Sequence, residues 1–356
     1  MLKTDDVQAD LVSVLIATYN GKHLIAETLE SVLGQTYRPL EIIVVDDGSS
    51  DGTWDALQSF GSRIRSIRQN NGGVASARNT ALREAKGTFI ALMDHDDLCE
   101  PERIAAQVAL LRQLPEVVLC SSDFSAFDQT GPLANSYCSE YYSQCHASRG
   151  GVMARYPQLA SLDVSDCLPK RQSQPVVVPA YFGQVYEVIA LGNFVHPPTV
   201  LFRRSVLDDV GLFDPEARMM CDWDWLVRAS RVGTFGFIDR PLLRYRRSDT
   251  QISSSHHHPR ASIDSLHVAQ RIVQRDPGLY QRKKAEFNAH LGGMCLDAAD
   301  ANAEIDRWQS LRLLASSIGR YKTIQSQTFR TLLKILMPAT LLHQIRQYRG
   351  RFARAG

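Results

Sequence analysis

Three carboxylates lie close together at the end of a short apolar segment. The run 89–93 is apolar throughout, and Asp94, Asp96 and Asp97 follow it within four positions. Such a run predicts a buried strand. Carboxylates this close repel one another unless a cation lies between them. Mg²⁺ or Mn²⁺ shared with substrate phosphates would meet that need, because such ions take one or two protein carboxylates and complete their shell with phosphate oxygens and water. The alternative is an acidic loop that stabilises the start of a helix near Pro101.

The bulk properties of the chain describe an ordinary globular protein. Its 356 residues, 44% of them hydrophobic and 22% charged, can form a large core and more than one domain or a long extension. No apolar run approaches the roughly 20 residues that span a bilayer, and we do not expect the polar, acidic N-terminus to be a secretory signal. The seven cysteines show no C-x-x-C spacing, which favours free thiols in a reducing, cytoplasmic location.

The charges are distributed unevenly along the chain. Ten basic residues and no acidic one follow Asp306, so the net charge of +2 combines a body of −8 with a tail of +10. A basic tail on an acidic body favours an anionic surface as the partner of that tail. We expect no nucleic acid partner, and the sequence leaves the oligomeric state open.

Strand and helix patterns alternate in the first third of the chain. Four apolar or β-branched runs predict strands, and the segments between them carry apolar residues at helical spacing. This alternation predicts a doubly wound, mostly parallel sheet with helices on both faces. The predicted strands are 11–17, 40–45, 64–68 and 89–93, and the predicted helices include 22–34 and 74–85.

Polar groups follow three of these strands, at the edge where ligands bind in parallel sheets. They are Thr18 to Asn20, Asp46 and Asp47, and the Asp94 cluster. Neither G-x-G-x-x-G nor G-x-x-x-x-G-K-[ST] follows any of them, which disfavours a Rossmann dinucleotide site and a P-loop. The remaining interpretation is a site that binds a nucleoside diphosphate through carboxylates and a metal.

Five segments, in their order and spacing, resemble family 2 glycosyltransferases of the GT-A fold, and the resemblance covers roughly residues 10 to 250. They are VSVLIATYN at 12–20, SVLGQTY at 31–37, VVDDGSSDGT at 44–53, NGGVASARN at 71–79 and DHDD at 94–97.

The resemblance implies a role for each matching position. Asp47 would accept a hydrogen bond from a uracil-type imide, Asp94 would bind the ribose, and Asp96 would hold the divalent metal, Mn²⁺ or Mg²⁺. For Asp97 we predict instead a cap of the helix after Pro101. Two alternatives stay open: Asp46 as a cap of the following helix, and Arg78 as an ordinary surface charge on its helix. The full set of nucleotide-sugar-binding positions is Ala17, Thr18, Tyr19, Asp46, Asp47, Arg78, Asp94 and His95.

The second half of the predicted domain would bind the acceptor. Residues 125–190 are irregular and rich in Ser, Tyr, Gln and Pro, which is typical of functional loops. The segment 192–204 predicts a strand beside the site, where His196 either touches the acceptor or diphosphate or packs at the strand end. In the segment 221–228 the family commonly has Glu-Asp, and its Asp is the general base. Here Cys221 replaces the Glu, and Asp222 is the predicted catalytic base.

The segment 243–248 resembles the closing element of the family. Ser248 stands where a His often contacts the metal or diphosphate, and the candidates to replace that contact are Arg246, Arg247 and the histidine run 256–258. A solvated loop is the alternative for that run.

The predicted organisation has a flexible N-terminus, a GT-A domain with two halves and a basic, helical C-terminal extension. In the extension, the segment 329–346 is apolar and basic without acidic residues. It would lie in an anionic membrane interface on the inner face of the plasma membrane, or pack on the domain or on a second subunit. The predicted ranges are 1–10, 11–255 with halves 11–124 and 125–255, and 256–356.

The sequence therefore predicts an inverting, metal-dependent glycosyltransferase. It would move a sugar from a nucleoside diphosphate donor, UDP in our prediction, to a hydroxyl of a glycan or lipid-linked acceptor. Two alternatives remain: a nucleotidyltransferase acting on sugar phosphates, and a non-catalytic binding module with a GT-A-like fold.

Overall fold

A computed structural model of the protein describes residues 8–142, 145, 150–168, 175–248 and 259–337. The chain forms two compact units, Met1–Ser254 and Ser255–Gly356. The histidine run 256–258 and the tail beyond Met337 lie outside the described residues, as does most of the predicted flexible N-terminus.

The first unit contains one mixed sheet of eleven strands. The order of its main path is β3-β2-β1-β4-β10-β6-β11-β9-β8, with β5 paired to β11 and β7 paired to β6. The strands are β1 (Gln8–Thr18), β2 (Leu40–Asp46), β3 (Arg65–Arg68), β4 (Gly87–Asp94), β5 (Leu98–Cys99), β6 (Val117–Asp128), β7 (Gly131–Ala134), β8 (Gln158–Asp163), β9 (Val177–Gly183), β10 (Leu201–Arg203) and β11 (Thr234–Arg246).

The first four strands of this path are parallel, as the sequence predicts. β1 pairs with β2 and β4, and β2 pairs with β3, all in the parallel sense. Their central residues are almost completely buried, from Val12 to Ile16 in β1 and from Ile43 to Val45 in β2. Near-continuous burial of this kind requires helices on both faces of the sheet. The predicted GT-A-type fold class is confirmed.

The second half of the sheet is more mixed than the first. β10 runs antiparallel between β4 and β6, β6 and β11 are parallel, and β9 is antiparallel to both β11 and the edge strand β8. The hairpin of β8 and β9 lies within the segment 125–190, for which the prediction of irregular structure is wrong at these strands. β8 lies at the edge of the sheet and buries little, with Leu159 64% exposed, whereas β9 is apolar and buries alternate residues.

Helices connect the strands of the first unit and form the second unit. Asp276 and Asp306 begin two helices of the second unit by accepting hydrogen bonds from Leu279 N at 2.8 Å and Gln309 N at 2.9 Å, as capping residues do. The helices of the first unit are α1 (Ile25–Leu33), α2 (Thr53–Gln58), α3 (Val74–Glu84), α4 (Arg103–Gln113), α5 (Cys138–Tyr141), α6 (Tyr186–Ile189), α7 (Val206–Val210) and α8 (Cys221–Ala229). Those of the second unit are α9 (Pro259–Arg275), α10 (Pro277–Arg282), α11 (Lys284–Asn302), α12 (Arg307–Ala315) and α13 (Ser326–Leu336).

The second unit has a small apolar core of its own. Leu296, Ala299 and Ala303 contribute to it from α11 and the turn after it, Leu314 from α12 and Ile335 from α13. Within the part of the chain that the structure describes, no helix has the length and apolar character needed to cross a bilayer. All seven cysteines are free and buried.

Candidate functional site

The polar ends of β1, β2 and β4 meet at one edge of the sheet. In the parallel register Thr18 pairs with Asp46 and Ala17 pairs with Asp94. Tyr19 follows β1 and is 49% exposed, whereas Ala17 is half-buried. The structure thus brings together the groups that the sequence predicts at the strand ends, at the edge where α/β proteins bind their ligands.

Asp46 shapes the turn after β2. Its side chain is completely buried. It accepts a hydrogen bond from Ser49 N at 3.0 Å, and Arg68 Nε lies 3.4 Å from its other oxygen. Helix α2 begins only at Thr53, whose backbone N–H donates to Asp51 instead at 2.9 Å. The proposed capping of the next helix by Asp46 is therefore wrong, and its carboxylate stabilises the loop between strand and helix.

Asp47 holds the loop that leads into α3. Its carboxylate accepts hydrogen bonds from Gln69 Nε2 at 2.7 Å, Gly72 N at 2.9 Å and Gly73 N at 2.8 Å. A carboxylate offers about four lone-pair positions, so one remains, on Oδ2, for a ligand. Gly73 has φ of +82°, a conformation that favours glycine.

Replacing Asp47 by Asn is expected to weaken this loop. The amide keeps one acceptor oxygen and places an NH₂ group against a backbone N–H donor, which should lower the free energy of unfolding by about 1–3 kcal/mol. UDP affinity should fall as well, because Asp47 is the predicted acceptor for the base. Urea denaturation and calorimetry would measure the two effects. Asp55→Asn, an exposed carboxylate on α2, is the control, and unchanged UDP affinity in Asp47→Asn would contradict the assignment to the base.

Arg78 of α3 is a buried cation among carboxylates. It is 6% exposed, and its guanidinium donates to Asp94 Oδ1 at 3.0 Å. Burial by itself would lower its pKa, but the negative charges of Asp94 and Asp222 outweigh burial and raise the pKa of Arg78. The alternative of an ordinary helix-surface charge is excluded by this burial. Arg78 connects the end of β4 with the start of α8 electrostatically.

The turn after β4 is anchored from a distant strand. Asp97 is 1% exposed and accepts a hydrogen bond from Arg246 N at 2.9 Å. Arg246 Nε donates to Asp96 O, also at 2.9 Å. Burial, together with the charges of Asp96 and Asp94, raises the pKa of Asp97 well above its ordinary value.

The predicted capping of the helix after Pro101 by Asp97 is wrong. Helix α4 begins at Arg103, its N-cap is Glu102, and no side chain caps it. Asp97 points instead to β11, a partner that lies far away in sequence.

His95 lies over the loop after β1. A Cβ atom on Gly21 would lie 2.5 Å from His95 Cδ2, so a larger residue there would displace the His95 ring. The carbonyl of His95 accepts from Thr28 Oγ1 at 2.8 Å. The structure therefore places the His95 ring beside the strand end, where it borders the predicted donor site.

Two tryptophan side chains anchor helix α8, which carries Asp222. Trp223 Nε1 donates to Ile189 O at 2.8 Å, and Trp225 Nε1 donates to Gly211 O at 2.9 Å. Within α8 only Asp222 and Arg228 keep partial exposure. The helix is therefore buried on almost all sides, including the side of Trp223.

The environment of Asp222 suits a group that takes up a proton. Burial raises the pKa of Asp222, and the nearby Arg78 and the hydrogen bond from Trp223 N only partly offset it. A carboxylate with a raised pKa is a stronger base than an exposed one, and such groups are concentrated at functional sites. Cys221, where the family commonly has Glu, is buried, and burial raises the pKa of its thiol to about 12.

His196 lies in a cluster of aromatic rings. Its imidazole stacks on Phe124 with ring centroids 4.2 Å apart, and Tyr142 Oη lies 3.4 Å from Nδ1. Burial lowers the pKa of His196 to about 3, so the ring is neutral at physiological pH. Its buried Nε2 has no hydrogen-bond partner among the described residues. The sequence allowed His196 either to touch the acceptor or diphosphate or to pack at the strand end. The structure shows it packed.

The carboxylates at the end of β4 fit a hard divalent cation that also binds phosphate. The Asp94 side chain is 37% exposed and pairs with Arg78 through Oδ1, and Asp96 is half-buried. The described residues contain no group of three His, Cys, Asp or Glu side chains that could hold a metal ion by themselves. One or two carboxylates with phosphate and water are the usual ligands of Mg²⁺, so these side chains suit a metal that a diphosphate completes.

Sequence reasoning missed several residues that support the site. Gln69 binds Asp47, Phe213 lies under the Arg78 guanidinium at 5.7 Å, and Arg246 holds the turn at Asp96 and Asp97. Arg246 was considered only as a contact to phosphate. Each of these three residues lies in or near a segment singled out from the sequence, but its partner lies in a different segment of the chain.

Part of the chain matches a known protein family. Residues 13–156 match the model of glycosyl transferase family 2. The chain is 27% identical over 253 residues to an uncharacterized glycosyltransferase of Rickettsia prowazekii (strain Madrid E). This alignment covers 70% of this chain and 68% of that protein. It is 48% identical over 101 residues to the Escherichia coli UDP-Glc:alpha-D-GlcNAc-diphosphoundecaprenol beta-1,3-glucosyltransferase WfaP, which covers 28% of this chain and 40% of that protein.

A solved structure supports the same conclusion at the level of the fold. The mannosyltransferase PcManGT from Pyrobaculum calidifontis, in complex with GDP-Man and Mn²⁺, is similar with a TM-score of 0.53 and 19% identity, over 91% of this chain and 86% of that one. The motifs, the sheet and these similarities agree: residues 13–156 match glycosyl transferase family 2, and the chain is similar to glycosyltransferases and has the GT-A fold.

Proposed function

We propose that this protein is an inverting glycosyltransferase that uses a UDP-sugar, with Asp222 as its general base. The observation that carries the proposal is the group formed by Asp94, Arg78 and Asp222. It joins the strand end predicted to bind the donor to the helix predicted to carry the base. Direct transfer requires a donor site and a base that lie close together.

The donor nucleotide would lie across the ends of β1, β2 and β4. Tyr19 is exposed and offers a ring to the base, Asp47 has one acceptor position left on Oδ2, and Asp94 Oδ2 is available to the ribose. Arg78 holds the Asp94 carboxylate in place through the hydrogen bond to Oδ1. His95 would border the same space.

Asp222 would take the proton from the acceptor hydroxyl while the oxygen of that hydroxyl attacks the anomeric carbon of the donor sugar. The new glycosidic bond forms as the bond from that carbon to the diphosphate oxygen breaks, and UDP leaves on the opposite face, which inverts the configuration. The proton on Asp222 then passes to solvent. Positioned general bases of this kind contribute about 10²- to 10⁴-fold to rates.

A divalent ion at Asp96, with Asp94 close by, would neutralise charge on the diphosphate leaving group when bound. Arg246 holds the backbone of the turn that carries Asp96. Ser248 stands in place of the histidine common in the family, and Arg247 stays a candidate for the missing contact. The histidine run 256–258 lies outside the described residues.

The acceptor is proposed to be a hydroxyl on a lipid-linked glycan. The support is the name of the E. coli relative, which gives a UDP-Glc donor and a GlcNAc-diphosphoundecaprenol acceptor. That protein is 48% identical to this chain over 101 residues.

The proposal is tested by donor binding and by turnover. Calorimetry with UDP and Mn²⁺ should show binding that is lost on addition of EDTA, and a panel of nucleotide sugars should reveal one that is hydrolysed to UDP in a metal-dependent way. The absence of metal-dependent UDP binding would instead favour a non-catalytic module. Release of pyrophosphate from a nucleoside triphosphate and a sugar phosphate would favour a nucleotidyltransferase.

A further inference from the structure

Helix α13 of the second unit exposes a row of large apolar side chains. Phe329 is 63% exposed, Leu333 55% and Leu336 65%. They are spaced i, i+4 and i+7, so they lie along one side of the helix, and Leu332, 38% exposed, borders them. We call these four residues the α13 stripe.

The opposite side of α13 packs against the rest of the second unit. Thr328, Thr331 and Ile335 are buried, and Thr331 Oγ1 donates to Asp300 Oδ1 at 3.0 Å. The helix is therefore fixed to its own unit through one face. The α13 stripe lies on another face, which the described residues of the second unit leave more exposed than the face of Thr328, Thr331 and Ile335. A large contiguous apolar surface of this kind marks an interaction site.

The charges of α13 itself are positive. Arg330 is exposed, one helical turn or less from Phe329 and Leu333. Lys334 instead pairs with Asp300 at 3.2 Å and with Glu304 at 4.0 Å. Arg330 is therefore the basic residue of α13 that borders the α13 stripe.

A tryptophan lies at the same end of the unit as the end of α13. The Arg307 guanidinium donates to Met337 O at 2.7 Å, which brings the start of α12 to the end of α13. Trp308 follows Arg307 and is 75% exposed. Tryptophan is enriched at the boundary between hydrocarbon and water because its ring is apolar and its N–H is polar.

We propose that the α13 stripe inserts into the interfacial region of an anionic lipid bilayer, with Arg330 and Arg307 at the lipid headgroups. An exposed apolar face flanked by basic residues is the pattern of helices that lie in the membrane plane. A second copy of this chain is a poorer occupant, because it would bring a second Arg330 to the contact. The inference does not depend on the proposed transfer reaction, although it would bring the enzyme to the surface that holds a lipid-linked acceptor.

Vesicle sedimentation with the full chain tests the proposal. The wild type should sediment with vesicles of phosphatidylcholine and phosphatidylglycerol and at least about tenfold less with phosphatidylcholine alone, since each basic group near an anionic surface adds attraction. The double variant Leu333→Gln/Leu336→Gln should lose at least about tenfold in binding to the anionic vesicles. Arg330→Gln should bind more weakly and with a smaller dependence on salt.

Leu159→Gln is the matched control, because Leu159 of β8 is 64% exposed, like Leu336, but belongs to the first unit. It should bind vesicles like the wild type. Circular dichroism and UDP binding should be unchanged in all variants, which separates this test from that of the proposed function. Equal binding by the double variant and Leu159→Gln would overturn the proposal. So would a dimer in sedimentation velocity that the double variant abolishes while neither protein binds vesicles.

Discussion

Asp222→Asn is expected to reduce kcat for sugar transfer by roughly 10²- to 10⁴-fold while leaving the affinity for UDP nearly unchanged. The amide cannot accept the proton of the acceptor hydroxyl, yet it keeps the shape of the side chain and an oxygen for the hydrogen bond from Trp223 N. Steady-state kinetics with the active nucleotide sugar, together with UDP calorimetry, would separate the two effects. Asp209→Asn on α7, an exposed carboxylate, should behave like the wild type.

The pH dependence of kcat gives a second check on Asp222. Burial raises its pKa, and a base works only in its ionised form. Activity should therefore fall as the pH decreases through that raised pKa, at higher pH than an exposed Asp would require. The acidic limb should be absent from the residual activity of Asp222→Asn. Full activity in Asp222→Asn would remove Asp222 from the role of base.

Asp96→Ala is expected to abolish the metal dependence of UDP binding and to lower transfer by roughly 10²-fold or more, since a bound metal stabilises leaving-group charge by several kcal/mol. Calorimetry with UDP should give the same weak affinity for this variant with Mn²⁺ as with EDTA, whereas the wild type should bind more tightly with Mn²⁺. This readout does not depend on turnover.

Asp97→Asn is the matched control for Asp96→Ala. The two positions are adjacent, but Asp97 is buried and its oxygen accepts from Arg246 N, which an amide oxygen can also do. Asp97→Asn should therefore keep metal-dependent UDP binding. If Asp97→Asn lost it and Asp96→Ala kept it, the metal would have to be assigned to a different carboxylate.

Much of the donor half followed from local patterns. The apolar runs predicted β1, β2 and β4 with ends close to those observed, because a buried parallel strand needs an unbroken apolar run. Since parallel strands end at one edge of the sheet, the meeting of Ala17, Thr18, Asp46 and Asp94 also followed. The edge strand β8 of the acceptor half could not be predicted in this way because it buries too little.

The sequence by itself determined which strand ends carry carboxylates, and so the kind of ligand that this edge can bind. Only the tertiary structure decided how those carboxylates differ. Asp97 turns inward because Arg246, 149 residues away, binds it, and Arg78 lies buried beside Asp94 with the start of α8 close enough to raise its pKa. Such pairings depend on which strands and helices become neighbours, and local periodicity carries no information on that. Charge and burial at each carboxylate are therefore properties of the folded chain.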